Sequence, residues 1–301
     1  MSRAIERYLN RLEVPQGKTI VITGGNSGIG FETARHLCKF HWKIFLAVRN
    51  MKRGEDARQM LLGEYPDADI ELLTLDLNDV DSIHHFAQEI IDRKLDIDVF
   101  YANAGIYRVP FAKSFYDLES HMAVNCVANV ILYRLLAPYF HSMNHQVKWI
   151  LTSSIVARFP QLKPTDLYGE AHYKKARAYN KSKLAINHFF LTMCEQEKGT
   201  NILPLLVHPG ITYTPLIAKA YKGKGFALAA NRFLRLFFHT PRKASLGAIY
   251  LLQDKVDRPL FVGPRGVGHL SGYPKIQKLY RGNLKNHPEI ERAINDAIKE
   301  K

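Results

Sequence analysis

The chain has 301 residues, of which 47% are hydrophobic and 23% charged, and this composition argues against a disordered or fibrous protein. Lys and Arg number 42 against 28 Asp and Glu, which gives a formal charge of +14. The basic residues form no long run and no zinc-finger or homeodomain pattern, so we expect no nucleic-acid partner, and the charge would instead attract an anionic cofactor, substrate or lipid.

The N-terminal stretch lacks the apolar region of a signal peptide, and no later segment approaches the roughly 20 apolar residues of a membrane-spanning helix. The cysteines are Cys38, Cys126 and Cys194. They form no C-x-x-C pair, which fits reduced thiols. We therefore expect a cytoplasmic protein.

Strand-like and helix-like segments alternate along most of the chain. Strands are predicted at 18–23, 43–48, 70–75, 98–102, 148–153, 201–207 and 260–262, and helices at 28–40, 54–65, 79–93, 119–139 and 176–196. The strands are continuous apolar runs, as expected of parallel strands that are buried on both faces. The pattern predicts an α/β fold with one doubly wound Rossmann domain and a parallel sheet of about seven strands.

We expect residues 1–301 to form one domain with a core at about 15–262, a substrate lobe at about 213–245 and a C-terminal extension at about 263–301. In the lobe, a helical stripe of apolar residues comprises Phe226, Ala229, Ala230, Phe233, Leu234 and Phe237. Such a stripe is usually buried within protein, which favours a lid or a subunit interface for residues 226–238. Its basic polar face leaves peripheral membrane contact as a third, less favoured alternative.

A glycine-rich turn connects the first strand to the first helix. Its sequence is Thr23-Gly24-Gly25-Asn26-Ser27-Gly28-Ile29-Gly30. Glycine allows the backbone to approach a pyrophosphate closely, and the N-terminus of the helix supplies N–H groups and positive potential. With its flanking strand and helix, the turn predicts a dinucleotide site.

Arg49 follows the second predicted strand, and Lys52 and Arg53 come shortly after it. An acidic residue at this strand end favours a free ribose, whereas Arg favours a 2′-phosphate. The alternative is that Lys52 and Arg53 only begin a solvated helix. We favour NADP over NAD.

Tyr179 and Lys183 are four residues apart, and they therefore share one face of the predicted helix. A lysine charge favours the phenolate and lowers the pKa of the tyrosine. The spacing predicts a general acid/base that works near neutral pH.

The glycine turn and the Tyr-x-x-x-Lys pair together resemble the short-chain dehydrogenase/reductase family, in particular its retinol-dehydrogenase-like members, over roughly residues 15–275. The resemblance implies that Tyr179 transfers the proton at the substrate oxygen and that Lys183 lowers the Tyr179 pKa and holds the nicotinamide ribose. It further implies that Ser154 hydrogen-bonds the substrate oxygen, with Ser153 as the alternative, and that Asn125 holds a water linked to Lys183.

The same resemblance implies the residues that contact the cofactor. Asp76 would contact the adenine, although it could also be a turn or capping aspartate. Ala102 replaces the first Asn of the family's Asn-Asn-Ala-Gly motif. The implied cofactor contacts are Gly24, Asn26, Ser27, Gly28, Ile29, Gly30, Arg49, Lys52, Arg53, Asp76, Leu77, Asn103, Ala104, Gly105, Tyr179, Lys183, Pro209, Gly210, Thr212 and Thr214.

We therefore expect an NADP-dependent oxidoreductase that interconverts an alcohol with a ketone or aldehyde, on a lipophilic small molecule. Direct hydride transfer with tyrosine acid catalysis needs no metal. The resemblance also implies a homo-oligomer formed through the two long helices. The alternatives are a non-catalytic dinucleotide-binding regulator, which would not need Tyr179, and an epimerase or dehydratase, which Ser27 disfavours.

Overall fold

Eight strands form one sheet in the order β3-β2-β1-β4-β5-β6-β7-β8 in a computed structural model that describes residues 3–169, 173–212 and 239–299. The strands are β1 Thr19–Thr23, β2 Lys43–Val48, β3 Ile70–Thr74, β4 Val99–Ala102, β5 Val147–Thr152, β6 Ile202–Val207, β7 Leu260–Pro264 and β8 Pro274–Gln277. Strands β1 to β7 pair in parallel, and β8 pairs with β7 in the antiparallel direction. The predicted doubly wound α/β fold is confirmed.

The helices lie on both faces of this sheet. They are α1 Arg3–Leu9, α2 Gly28–Cys38, α3 Met51–Glu64, α4 Val80–Asp92, α5 Ser120–His141, α6 Lys175–Gln196, α7 Pro241–Ala244, α8 Leu246–Leu251 and α9 His287–Lys299. One hydrophobic core lies between the sheet and α4, α5, α6 and α9, and the other lies between the sheet and α1, α2, α3 and α8. Because the strands are covered on both faces, they need the continuous apolar sequence from which they were predicted.

Helix α5 changes its hydrogen-bonding pattern near its start. Its first turn, Ser120–Met122, leads into a π-helical turn, Ala123–Val127, before regular α-helix continues over Ala128–His141. By length and composition alone this helix could cross a membrane, contrary to the sequence expectation, but 78% of its most apolar window is buried inside the protein. It is therefore a core helix of the fold.

The C-terminal extension adds regular structure that the sequence did not predict. Strand β8 completes the sheet at its β7 edge, and α9 packs against α6 with Ile290 and Ile294 buried. Asn295 of α9 accepts a hydrogen bond from Arg134 of α5. The predicted lobe helix 226–238 lies outside the described residues.

The strand order reverses between β1 and β4, whose neighbours run to opposite edges of the sheet. Ligands of doubly wound sheets bind at such a switch point, beyond the carboxyl ends of the strands. The glycine-rich turn after β1 and the Asn103-Ala104-Gly105 segment after β4 meet there.

Candidate active site

Tyr179 and Lys183 lie in the second and third turns of α6, close to the carboxyl end of β5. The Lys183 Nζ donates to the Thr152 carbonyl at 2.8 Å and lies 6.0 Å from the centre of the Tyr179 ring. Burial lowers the pKa of Lys183 to about 8. Burial also raises the pKa of Tyr179 to about 12, although a hydrogen bond with Ser154 opposes that shift. The predicted lowering of the tyrosine pKa by Lys183 is therefore opposed by burial in this structure.

The two adjacent serines after β5 have different surroundings. Ser153 is 1% exposed, and its hydroxyl donates to Asn187 Oδ1 at 2.6 Å within the protein. Ser154 is half-buried, lies at the start of a 3₁₀ turn and hydrogen-bonds to Tyr179. Of the two, Ser154 is thus the serine that shares a site with the tyrosine.

Asn125 lies within the π-helical turn of α5 and is 1% exposed. Its Oδ1 accepts from the Ile106 N–H at 2.7 Å, and its Nδ2 donates to the Ile106 carbonyl at 3.1 Å and to Ser182 Oγ at 2.9 Å. It therefore joins the segment after β4 to α6. A π-helical turn shifts the backbone hydrogen bonds around it, and such turns are frequent at functional sites.

The glycine-rich turn has the geometry that a phosphate requires. Gly24 and Gly28 adopt positive φ values of 65° and 59°, and a Cβ added at Gly30 would lie 2.6 Å from Asn103 Nδ2. The Ser27 side chain makes no capping hydrogen bond to α2. The N–H groups at the start of this 11-residue helix therefore receive no hydrogen bond from the Ser27 side chain. An anionic group could accept hydrogen bonds from them.

Asn103 braces this switch point. Its Nδ2 donates to the Thr23 carbonyl at 2.9 Å, while Thr23 Oγ1 accepts from the backbone N–H groups of Asn103 and Ala104. Asn26 and Ile29 are half-buried in the turn, and Gly105 lies against Asn125, whose Oδ1 would be 2.8 Å from an added Cβ. These residues come together as predicted. The hydrogen bonds between Asn103 and Thr23 hold the turn after β1 and the segment after β4 in fixed positions relative to each other.

Arg49 follows β2, and its side chain is 71% exposed. Its Nε lies 3.8 Å from Asp76 Oδ2, while Asp76 Oδ1 accepts from the Asn78 N–H. Asp76 therefore has the turn-forming role that the sequence left open, in addition to its place beside Arg49. Lys52 and Arg53 are exposed in the first turn of α3, and the Leu77 side chain belongs to the core.

The segment after β6 is held by its neighbours. Gly210 has a φ of 70°, and a Cβ there would lie 2.4 Å from the Leu270 carbonyl oxygen. Thr212 is buried, and its hydroxyl donates to the Pro209 carbonyl at 3.1 Å. Thr214 lies outside the described residues.

Sequence reasoning missed two aromatic residues beside the tyrosine. The Tyr107 ring meets the Tyr179 ring edge to face with centroids 4.7 Å apart, and the His121 ring lies 6.3 Å from it. Nothing in the local pattern distinguishes these residues from other loop or helix residues. Within the described ranges, no three His, Cys, Asp or Glu side chains are arranged to hold a metal ion.

A half-buried phenol with a hydroxyl and an ammonium group beside it can donate a proton to an oxygen, and the hydroxyl can hydrogen-bond the same oxygen. The neighbouring glycine turn and helix N-terminus can hold a dinucleotide. The two parts are neighbours at the switch point, where a Cβ added at Gly105 would lie 3.7 Å from Lys183 Nζ.

The family model described as short chain dehydrogenase matches residues 18–225. Retinol dehydrogenase 12 from Bos taurus is 31% identical over 205 residues, which are 68% of this chain and 65% of the relative. The match thus spans less than two thirds of that relative's length. Retinol dehydrogenase 14 from Mus musculus is 29% identical over 249 residues, covering 78% of this chain and 73% of the relative.

An uncharacterised protein from Mycobacterium paratuberculosis has a similar solved structure, with 25% identity, a TM-score of 0.75 and 97% of each chain covered. A short chain dehydrogenase from Shigella flexneri, complexed with NADP, shares the fold at 20% identity and a TM-score of 0.63, with 83% of this chain and 98% of that one covered. A Burkholderia phymatum member of the same fold was solved with NAD, at 18% identity and a TM-score of 0.63, with 82% and 89% covered.

Proposed function

The chain belongs to the short-chain dehydrogenase family, and we propose that it is an NADP-dependent oxidoreductase that interconverts an alcohol with an aldehyde or ketone on a lipophilic small molecule. The observation that carries the proposal is the group of half-buried Tyr179 and Ser154 with the buried Lys183 at the switch point of the sheet. The full activity, the cofactor and the substrate are parts of this proposal.

In the proposed reaction, Tyr179 is the acid or base at the substrate oxygen. Burial raises its pKa to about 12, so the phenol is protonated at neutral pH and can donate to a carbonyl oxygen. Ser154 donates a second hydrogen bond to that oxygen as its negative charge grows. The Lys183 ammonium, fixed by the Thr152 carbonyl, stabilises the phenolate that remains.

A nicotinamide bound here would supply or accept the hydride. The turn around Gly24, Gly28 and Gly30 would hold its pyrophosphate, and the N-terminus of α2 would contribute positive potential. We favour NADP because Arg49 is exposed at the end of β2, where a guanidinium can bind a 2′-phosphate with two hydrogen bonds.

A lipophilic substrate is supported by the aromatic rings of Tyr107 and Phe111 in the loop beside Tyr179, and by relatives named retinol dehydrogenases. The cytoplasm is the proposed location, because the three cysteines are free. We also propose a homo-oligomer. The two long helices α5 and α6 both contact α9 of the same chain, so we expect subunits to pair through other surfaces.

The proposal is tested by titrating the protein with NADPH and with NADH while following nicotinamide fluorescence, and by assaying retinal and smaller aldehydes with the better cofactor. Tighter NADPH binding and NADPH-dependent reduction would support it. An Arg49→Asp variant should then lose most of the preference for NADPH, whereas Arg11→Asp, in the N-terminal segment, is the matched charge control. Saturable binding without turnover on any carbonyl would favour a non-catalytic regulator.

A further inference from the structure

A polar cluster of buried Glu119 and His121 with half-buried Tyr173 lies beside the site and has no part in the reaction proposed above. The Glu119 and His121 side chains are 2% and 0% exposed, and Glu119 Oε1 lies 2.7 Å from His121 Nδ1. Burial alone would raise the pKa of Glu119, but the hydrogen bonds that the carboxylate accepts from His121 and Tyr173 outweigh it, so the pKa is lowered. A carboxylate is kept in the interior because it has partners there.

The carboxylate fixes which nitrogen of His121 carries the proton. His121 Nε2 accepts a hydrogen bond from the Val109 N–H at 3.3 Å, so that nitrogen is unprotonated. The proton then lies on Nδ1, which donates to Glu119. The buried pair therefore binds the backbone of a loop that follows β4.

Tyr173 binds the same loop residue from the other side. Its hydroxyl is 3.1 Å from the Val109 carbonyl oxygen and 3.0 Å from Glu119 Oε1, and the single proton is shared between these two acceptors. Val109 is thus held through both its N–H and its C=O by side chains that meet at one carboxylate.

The backbone next to Val109 is strained. Arg108 has a φ of 52°, in the left-handed region that non-glycine residues rarely adopt. Such a conformation persists where the surrounding structure holds it in place. The hydrogen bonds of Glu119, His121 and Tyr173 around Val109, which we call the clasp, supply that restraint. The residue before Arg108 is Tyr107, whose ring packs edge to face on Tyr179 at 4.7 Å.

We propose that Glu119, His121 and Tyr173 are positioning residues for the reaction: they hold Val109 on both sides, fix the strained loop, and thereby keep the Tyr107 ring against Tyr179. The kinetic half of this inference rests on the proposed function. Its structural half does not, because the restraint on the loop is measurable without turnover.

The test compares Tyr173→Phe, which removes one hydroxyl from the clasp, with Tyr139→Phe, which removes a hydroxyl that donates to Leu95 instead. Glu119→Gln is the second clasp variant, because it removes the charge and nearly keeps the shape. Each protein is studied by amide hydrogen exchange of residues 106–112, by NADPH titration and by steady-state kinetics.

We expect about tenfold faster exchange at Val109 in both clasp variants, together with a fall in kcat of about tenfold that exceeds any change in KM, because misplaced groups slow chemistry more than they weaken binding. The NADPH affinity of the two clasp variants should stay within about twofold of wild type, because the proposed cofactor contacts lie outside this loop. The Tyr139→Phe control should stay within about twofold of wild type in exchange at Val109, NADPH affinity and kcat, because its hydroxyl lies outside the loop. Unchanged exchange at Val109 would overturn the clasp. Faster exchange with unchanged kcat would overturn the positioning role. A wild type without turnover would count against the proposed function, while exchange at Val109 would still decide whether the clasp exists.

Discussion

Lys183 donates a 2.8 Å hydrogen bond to the carbonyl oxygen of Thr152, the last residue of β5. This bond ties α6 to the edge of the sheet where the glycine turn lies. It also keeps an ammonium group in the interior beside a phenol, and burial moves their two pKa values apart, down to about 8 for Lys183 and up to about 12 for Tyr179. The pair is therefore set up with both groups protonated at neutral pH.

The two directions of the reaction should respond differently to pH. Carbonyl reduction needs a protonated Tyr179, and because burial raises its pKa to about 12, the phenol stays protonated between about pH 6 and 8. Alcohol oxidation needs the phenolate, whose fraction rises about tenfold per pH unit below the pKa. We expect kcat for reduction to be flat over this range and kcat for oxidation to climb, as measured in both directions with saturating cofactor. Oxidation that is independent of pH would contradict the assignment of Tyr179 as the base.

The two neighbouring serines should separate stability from activity. Ser154→Ala should lower kcat by about 100-fold, the usual effect of losing one donor to a developing oxyanion, and leave the free energy of unfolding nearly unchanged. Ser153→Ala should lower the free energy of unfolding by about 1–3 kcal/mol, because Asn187 Oδ1 is then buried without its donor. Urea unfolding and initial rates on the same preparations measure both. If Ser153→Ala lowers kcat and Ser154→Ala lowers the free energy of unfolding instead, Ser153 is the serine in the site.

Local pattern was enough to predict the features that local chemistry determines. The glycines after β1 are needed for positive φ and close approach, and the spacing of Tyr179 and Lys183 follows from helix geometry, so both could be recognised in the sequence. The apolar runs gave the first six strands within a residue or so at each end. The preference for Ser154 over Ser153 came from the family resemblance, since the hydrogen bond from Ser153 to Asn187 spans 34 residues of sequence.

Features that depend on distant contacts were missed. Strand β8 contains Pro274 and Lys275 and is only four residues long, so it has no strand pattern of its own and exists because β7 offers a free edge. The clasp on Val109 joins residues 12 and 64 positions away, which no local pattern reveals. The π-helical turn at Asn125 was likewise hidden within an unbroken apolar helix.

Removing the buried ammonium group should stabilise the protein while it destroys the activity. The pKa of Lys183 falls from 10.5 when exposed to about 8 when folded, so the charged form is penalised in the native state at pH 7. A lowered lysine pKa means that the unfolded chain binds more protons between those two values, so wild-type stability from this group rises as pH increases from about 8 to 10.5. Lys183→Met should therefore raise the free energy of unfolding at pH 7 by about 2 kcal/mol, after the lost bond to Thr152 is deducted.

The measurement is urea unfolding of wild type and Lys183→Met at pH 7 and at pH 10. The difference between the two proteins should shrink at the higher pH, where the wild-type amine is already neutral in the native state. A variant that is less stable than wild type at pH 7 would mean that the ammonium group is stabilised by interactions that outweigh its burial.

Two glycines offer a matched test of the nucleotide turn. A Cβ at Gly30 would lie 2.6 Å from Asn103 Nδ2 and 2.8 Å from the Gly24 carbonyl oxygen, whereas a Cβ at Gly63 on α3 would meet no atom within 4 Å. Gly30→Ala should displace Asn103 from its bond to Thr23, lower NADPH affinity at least about tenfold and lower the free energy of unfolding by about 1–3 kcal/mol. Gly63→Ala should leave affinity unchanged and raise the free energy of unfolding by up to about 1 kcal/mol, because alanine favours a helix over glycine. NADPH titration and thermal unfolding of the two variants decide the matter: if Gly30→Ala binds NADPH as tightly as Gly63→Ala does, the turn after β1 is not where the pyrophosphate lies.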